Sequence, residues 1–292
     1  MPAAMGRKLL FLATAFLLSI FIAWALFSPA HRAPSRRVSH SQSPPLQTAA
    51  PEIAQPSPSP VSTSTPSFTP PPSGTITVAI IIDDCGQWLS TERGFLALPI
   101  PLTLSVLPHV RYTAQIADDA AAAGRGIMLH LPMEPLGRDT AGRGEITTAM
   151  DDAQVAAQTE DDIAQVPLAK GTNNHEGSKA SADPRVMRAV IAVIKAHDLF
   201  FIDSRTSAKT VGAETARQAG VPEASRDVFL DARADESYTE QMLEQTVAIA
   251  KRNGSAIAIG HPKPTTLAAL TALYPKMQAE GVRFVLASEL AR

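Results

Sequence analysis

Asp83 and Asp84 stand side by side where an apolar run, Val78 to Ile82, must stop, and Cys85 and Gly86 follow them. Adjacent carboxylates repel each other, so a shared cation or proton is the chemistry that gives them a reason to be neighbours. The plainer reading is that one caps a helix while the other is solvated. Three histidines and a glutamate sharpen the choice. Asp84 and His130, completed by His175 or Glu134, make a hard and borderline ligand set suited to Zn²⁺ or a similar divalent ion. Pro132 and Pro135 forbid a helix over His130-Leu131-Pro132-Met133-Glu134-Pro135, so Glu134 need not share a face with His130. A bound ion would polarise a carbonyl and acidify a water, with Asp83 fitting the general base and His261 the general acid. Cys85 reads as a small apolar residue packed beside the strand end.

Elements that end at a common place must position these groups. Strand patterns fall near Ile76 to Ile82, Leu102 to Leu107, Ile127 to Leu131, Leu199 to Ile202, Asp227 to Leu230, Ala256 to Ile259 and Val282 to Leu286. Helical patterns alternate with them, near Tyr112 to Ala123, Asp151 to Gln165, Pro184 to Ala196, Gly212 to Ala219, Ser237 to Arg252 and Thr265 to Ala279. The alternation predicts an α/β fold with a parallel sheet, either open or closed into a barrel. Following the strands, their carboxyl ends present Asp83-Asp84, Pro108-His109, His130, Asp203-Ser204, Asp231 and Gly260-His261. Residues 171–178, Gly-Thr-Asn-Asn-His-Glu-Gly-Ser, read as a polar loop. In a parallel barrel all these ends share one face, where active sites are built. Capping explains any one of them and explains the whole set poorly.

The chain has 292 residues, 45% hydrophobic and 18% charged, with a net charge of -2. That excludes the basic footprint of a nucleic-acid binder, and one cysteine excludes an internal disulfide or a multi-thiolate zinc site. Residues 1–28 carry an uncharged run from Leu9 to Phe27 behind Arg7 and Lys8, which predicts a signal anchor, with a cleaved signal peptide as the alternative. Residues 29–74 are rich in Pro, Ser and Thr and predict a disordered spacer. Residues 75–292 make the globular domain. A spacer this long fits a domain that works away from the bilayer.

From about residue 75 the chain resembles the divergent polysaccharide deacetylases, distant relatives of the NodB-type carbohydrate deacetylases. I-I-I-D-D-C-G, H-L-P-M-E-P, G-T-N-N-H-E-G-S, F-I-D-S-R-T-S and I-A-I-G-H-P carry the resemblance. It implies an irregular (β/α) barrel of about seven strands and a metal-dependent amide hydrolase that removes acetyl groups from an N-acetylated glycan. It further implies Asp83 as base, Asp84 and His130 as metal ligands and His261 as the acid, with Asp203 in the catalytic group. Glu134 stands where those relatives keep a second metal histidine, and Asn173-Asn174-His175 replaces their arginine-containing motif, so either Glu134 or His175 completes the site. Asn173, Asn174, Arg205 as a clamp and Trp88 as a stacking platform are the expected substrate contacts, although Trp88 could simply cover the rim. The expected setting is the periplasm, with the inner membrane holding the N-terminal segment and an envelope glycan as partner. A silent barrel that binds glycan or protein is the alternative from another class, and a phosphoester hydrolase a third, disfavoured by the lack of a glycine-rich phosphate loop.

Overall fold

The computed structural model describes residues 76–137 and 139–292. The predicted anchor and the proline-rich spacer lie outside the described residues. Among the described residues no helix is long and apolar enough to cross a membrane.

Nine strands are described: β1 (Ile76–Cys85), β2 (Thr103–Val106), β3 (Gly126–Met133), β4 (Gly171–Glu176), β5 (Phe200–Asp203), β6 (Glu223–Ser225), β7 (Val228–Phe229), β8 (Ser255–Gly260) and β9 (Val282–Val285). Eight of them run in the order β6-β5-β4-β3-β2-β1-β8-β7, and β9 pairs with the start of β1. Every named pair is parallel. Seven helices cover the sheet: α1 (Leu89–Leu96), α2 (Thr113–Ala122), α3 (Asp152–Gln165), α4 (Pro184–Ala196), α5 (Gly212–Ala219), α6 (Glu236–Asn253) and α7 (Pro264–Ala279). Their starts follow local chemistry. Asp151 and Gln154 form a reciprocal capping box at α3, and Asp183 caps α4 ahead of Pro184 at the first turn.

The expectation of seven strands is corrected to nine. Residues 171–176 were expected in a loop and instead form β4, paired with β3 in the register His130 opposite Asn173. Thr172, Asn173 and Asn174 carry no apolar alternation because the groups they bury are polar, so the strand hides from a hydrophobic pattern. β6 escaped because it is only three half-buried residues, Glu-Ala-Ser, with no apolar run, and α1 because it is short and contains Gly94.

Alternate residues of the strands serve two cores. Val78, Ile80 and Ile82 of β1 join the large cluster beneath the helices. Ala79 and Ile81 join a second cluster with Met128, Ile202, Ile257 and Ile259, on the opposite face, inside the curl of the sheet. The C-terminal segment closes one end of that interior. Val285, Ala287 and Leu290 pack into it, and Arg292 and Glu223 exchange backbone hydrogen bonds. The barrel is irregular because β6 and β7 do not pair. Arg226 and Asp227 cross that seam in two residues, their N–H groups donating to Asp203 O and Ile257 O on the strands at either side.

Candidate active site

Two residues beyond the inner apolar layer, in the same phase, the side chains turn polar: Ile81 leads to Asp83, Met128 to His130, Ile202 to Ser204 and Ile259 to His261. The pleat therefore delivers these groups to the carboxyl mouth of the barrel. Asp84 follows at φ 57, in the left-handed region, which re-aims its side chain. His109, Glu176 and Arg205 share that conformation at or just beyond the ends of β2, β4 and β5. Backbone strain of this kind, about 1–3 kcal/mol each, persists where the surroundings over-determine it. Glu92 supplies that determination at Asp84. It is fully buried, and its Oε1 accepts the N–H groups of Gly86, Gln87 and Trp88 at 2.9, 3.0 and 2.8 Å.

Asp84 Oδ1 lies 3.2 Å from His130 Nε2 and 2.9 Å from His175 Nδ1, and the two nitrogens are 3.1 Å apart. Zinc ligands at about 2.0–2.1 Å in tetrahedral array stand about 3.3 Å from one another, so the triangle has the edge lengths of a metal site. Asp84 Oδ1 is buried yet has no well-aligned hydrogen-bond donor, which the shared approach of three lone pairs to one point explains. The donor set thus fits a divalent ion. Burial opposes the charge on Asp84, but His130 and His175 outweigh it and hold the carboxyl far below its ordinary range. Burial likewise opposes a cationic His130, but Asp83 and Asp84 prevail and raise it to about 9. A proton and a metal ion therefore compete for His130 Nε2.

Asn173 ties this triangle to Asp83. Its Nδ2 donates to Asp83 Oδ1 and Oδ2 at 2.9 and 3.1 Å and to Ser204 Oγ at 3.0 Å. Its Oδ1 accepts from Ser105 and, at 2.8 Å, from His130 Nδ1. Because the amide NH₂ must face the Asp83 carboxylate, its oxygen faces His130, and that imidazole keeps its proton on Nδ1 and its lone pair on Nε2. Asp83 itself is raised, since burial outweighs the lowering by His130, His261 and Asn173.

Opposite stands a histidine–carboxylate pair. His261 Nδ1 is 2.8 Å from Asp231 Oδ1, and Asp231 Oδ2 accepts from His261 N and Thr266 Oγ1. This leaves His261 Nε2 toward the mouth, 3.8 Å from Asp84 Oδ2. Burial disfavours the imidazolium, but Asp231 outweighs it and raises the His261 pKa; Asp231 is correspondingly lowered, as His261 offsets the effect of its burial. Asp83, Asp84, His130, His175, Ser204 and His261 border a cavity of about 390 Å³ that also reaches Arg205, Arg226 and Phe229. A second depression of about 480 Å³ adjoins it through Asp84 and His261 and carries Trp88, half exposed, with Lys263.

The structure brings Asp83, Asp84, His130, Asn173, His175 and His261 together and leaves two expected site residues, Glu134 and Asp203, elsewhere. Glu134 is spent on Thr148 N and Oγ1, both at 2.7 Å, and on Lys179 Nζ at 2.6 Å, so it brackets the segment after β3 and takes no place among the ligand atoms. Asp203 faces the helix side. Its carboxylate accepts from Arg205 N, Thr210 Oγ1 and Ala213 N, capping α5. Asn173 is fully buried with both ends of its amide used, which leaves nothing for a substrate. Asn174 borders the cavity while bracing Ser204 N and Glu176 O, and Arg205 is exposed at the rim. Cys85 is buried and burial pushes its thiol up, as fits a packing residue.

Glu92, Ser105 and Arg226 were not singled out from sequence, whereas Ser204 was visible as a strand end without a role. Arg226 donates to Ser204 O and Arg205 O and stacks over Phe229, which presents a half-buried cation to the cavity. Only its place one residue before an expected strand start hinted at it. Asp231 was visible as a strand end without a role.

The family profile of the divergent polysaccharide deacetylases matches residues 80–291. The chain is 35% identical over 195 residues to an uncharacterized protein of Haemophilus influenzae, covering 67% of this chain and 70% of that one. It is 33% identical over 193 residues to the uncharacterized protein YibQ of Escherichia coli, covering 66% of this chain and 60% of that one. Among solved structures, an uncharacterized protein of Agrobacterium tumefaciens C58 superposes with a TM-score of 0.72 at 24% identity, over 76% of this chain and 92% of that one, and so shares its fold. With the profile spanning nearly the whole described domain, this chain belongs to the divergent polysaccharide deacetylase family.

Proposed function

We propose that the protein is a metal-dependent hydrolase that removes acetyl groups from an N-acetylated envelope glycan. The observation that carries the reading is the pairing of a three-ligand triangle, Asp84, His130 and His175, with a carboxylate and a histidine–carboxylate pair around one cavity. A divalent ion held by those three residues would polarise the amide carbonyl and lower the pKa of a water. Asp83, raised by burial, accepts the proton as water attacks the acetyl carbon. Asn173 holds Asp83 and orients His130. His261, kept protonated by Asp231, donates its Nε2 proton to the departing amine, so that acetate and the free amino sugar result. Arg205 and Arg226 line one side of the cavity and Trp88 the adjoining depression, an arrangement suited to a chain that crosses the mouth.

The apolar run and the proline-rich spacer support a membrane-held protein whose domain works in the periplasm. Acetate release from N-acetylglucosamine oligosaccharides by the zinc-loaded chain, lost with a chelator and restored by zinc, is the expected result. Binding of the oligosaccharide without any acetate release would replace this reading with the silent scaffold.

A further inference from the structure

His109 was a strand-end residue in the sequence and finds no place in the mouth of the barrel. It lies instead against α3. His109 Nε2 is 3.1 Å from Asp161 Oδ2 and 3.0 Å from Asp162 Oδ1, edges of the same length as those of the Asp84 triangle. The three ligand atoms come from two separate parts of the chain, the segment after β2 and the last turns of α3. Gln158 Nε2 also reaches Asp162 Oδ1, at 3.1 Å.

A second observation is independent of those contacts. Asp162 is completely buried, and its Oδ2 has no hydrogen-bond partner among the described residues. Protonating that oxygen does not resolve this, because it would become a buried donor without an acceptor. A cation does resolve it, since a carboxylate can hold one ion through both oxygens. The surroundings are shaped to the carboxylate. Gly144 lies so close that a Cβ there would meet Asp162 Oδ1, and its φ of 87 disfavours other residues as well. Asp161, more than half exposed, leaves one side open for entry and for water ligands.

We propose that His109, Asp161 and Asp162 form a second divalent-cation site, sharing no residue with the mouth of the barrel, that takes Zn²⁺ through one imidazole nitrogen and two carboxylates. One imidazole with oxygen ligands suits Zn²⁺ or Mn²⁺ better than Ca²⁺. The ion fastens the segment after β2 to α3. That segment backs the Asp84 turn, with Leu107 N donating to Cys85 O and Tyr112 N to Gly86 O, so the second ion steadies the first site without touching it.

Zinc titration of the chelator-treated full chain by calorimetry, with thermal melting in parallel, tests this. The wild type takes two equivalents. Asp84→Ala/His130→Ala takes one and still melts at a higher temperature with zinc. Adding Asp161→Asn, an exposed position that the fold tolerates, weakens that remaining equivalent at least tenfold and removes the melting shift. His109→Asn, which keeps a residue at ease with positive φ, does the same. Should Asp84→Ala/His130→Ala fail to fold, the stoichiometry of Asp161→Asn alone decides, one equivalent being expected. Zinc binding unchanged by Asp161→Asn, or no binding left after Asp84→Ala/His130→Ala in a folded protein, overturns the proposal.

Discussion

Ile81 and Asp83 are two residues apart on the same face of the same strand, both buried inside the curl, and they do opposite things. Ile81 belongs to an apolar layer with Met128, Ile202 and Ile259 that the C-terminal segment seals. Asp83, His130, Ser204 and His261 form the next layer up, where burial opposes the charges and the backbone around them is strained. Nothing in the folding of the lower layer requires the upper one to be charged. The lesson is that one end of a parallel barrel interior is a core and the other a site, within about 7 Å along each strand.

A neutral isostere that removes charge and keeps shape separates the two layers most clearly. Asp83→Asn is expected to lower acetate release by about 10²–10⁴-fold while the melting temperature holds or rises, since burial already disfavours the charged carboxyl. A large loss of stability would erase the distinction between the layers. Ile81→Ala should do the reverse in kind, costing about 2–5 kcal/mol in denaturant unfolding through the cavity it leaves, with residual activity in the fraction that remains folded. Asn173→Ala stands between them. It orphans buried polar partners on both sides, for a cost of about 1–3 kcal/mol, and separates base from ligand, so both melting temperature and rate fall.

The smallest effect is a shift in pH. His261 must be protonated to act as acid, and its pKa is raised, so the rate falls as pH climbs through that raised value. Asp231→Asn removes the anion responsible and moves this alkaline limb to lower pH; a limb that stays put would take His261 out of the acid role.

The apolar lower layer was legible because Val78 to Ile82 and Ala256 to Ile259 announce buried parallel strands, and the helix starts at Asp151 and Pro184 announce themselves by capping chemistry. The upper layer was legible only as a list of strand ends. β4 escaped because Thr172, Asn173 and Asn174 look like a loop until the polar layer they complete is known. Asp203 and Glu134 carried the right chemistry to be mistaken for site residues. Their carboxylates are turned to backbone N–H groups, to Thr210, to Thr148 and to Lys179, and a strand's last residue can point to either face. Glu92 was invisible because a buried glutamate bracing a turn four to six residues upstream has no sequence pattern of its own.

The proposed metal site at the mouth rests on Asp84, His130 and His175 and not on Glu134. Elemental analysis of His175→Ala beside Glu134→Ala, each purified with zinc and dialysed, tests it most directly. One zinc equivalent fewer is expected in His175→Ala than in the wild type, and no change in Glu134→Ala. Full zinc in His175→Ala, with the equivalent missing from Glu134→Ala, would contradict it.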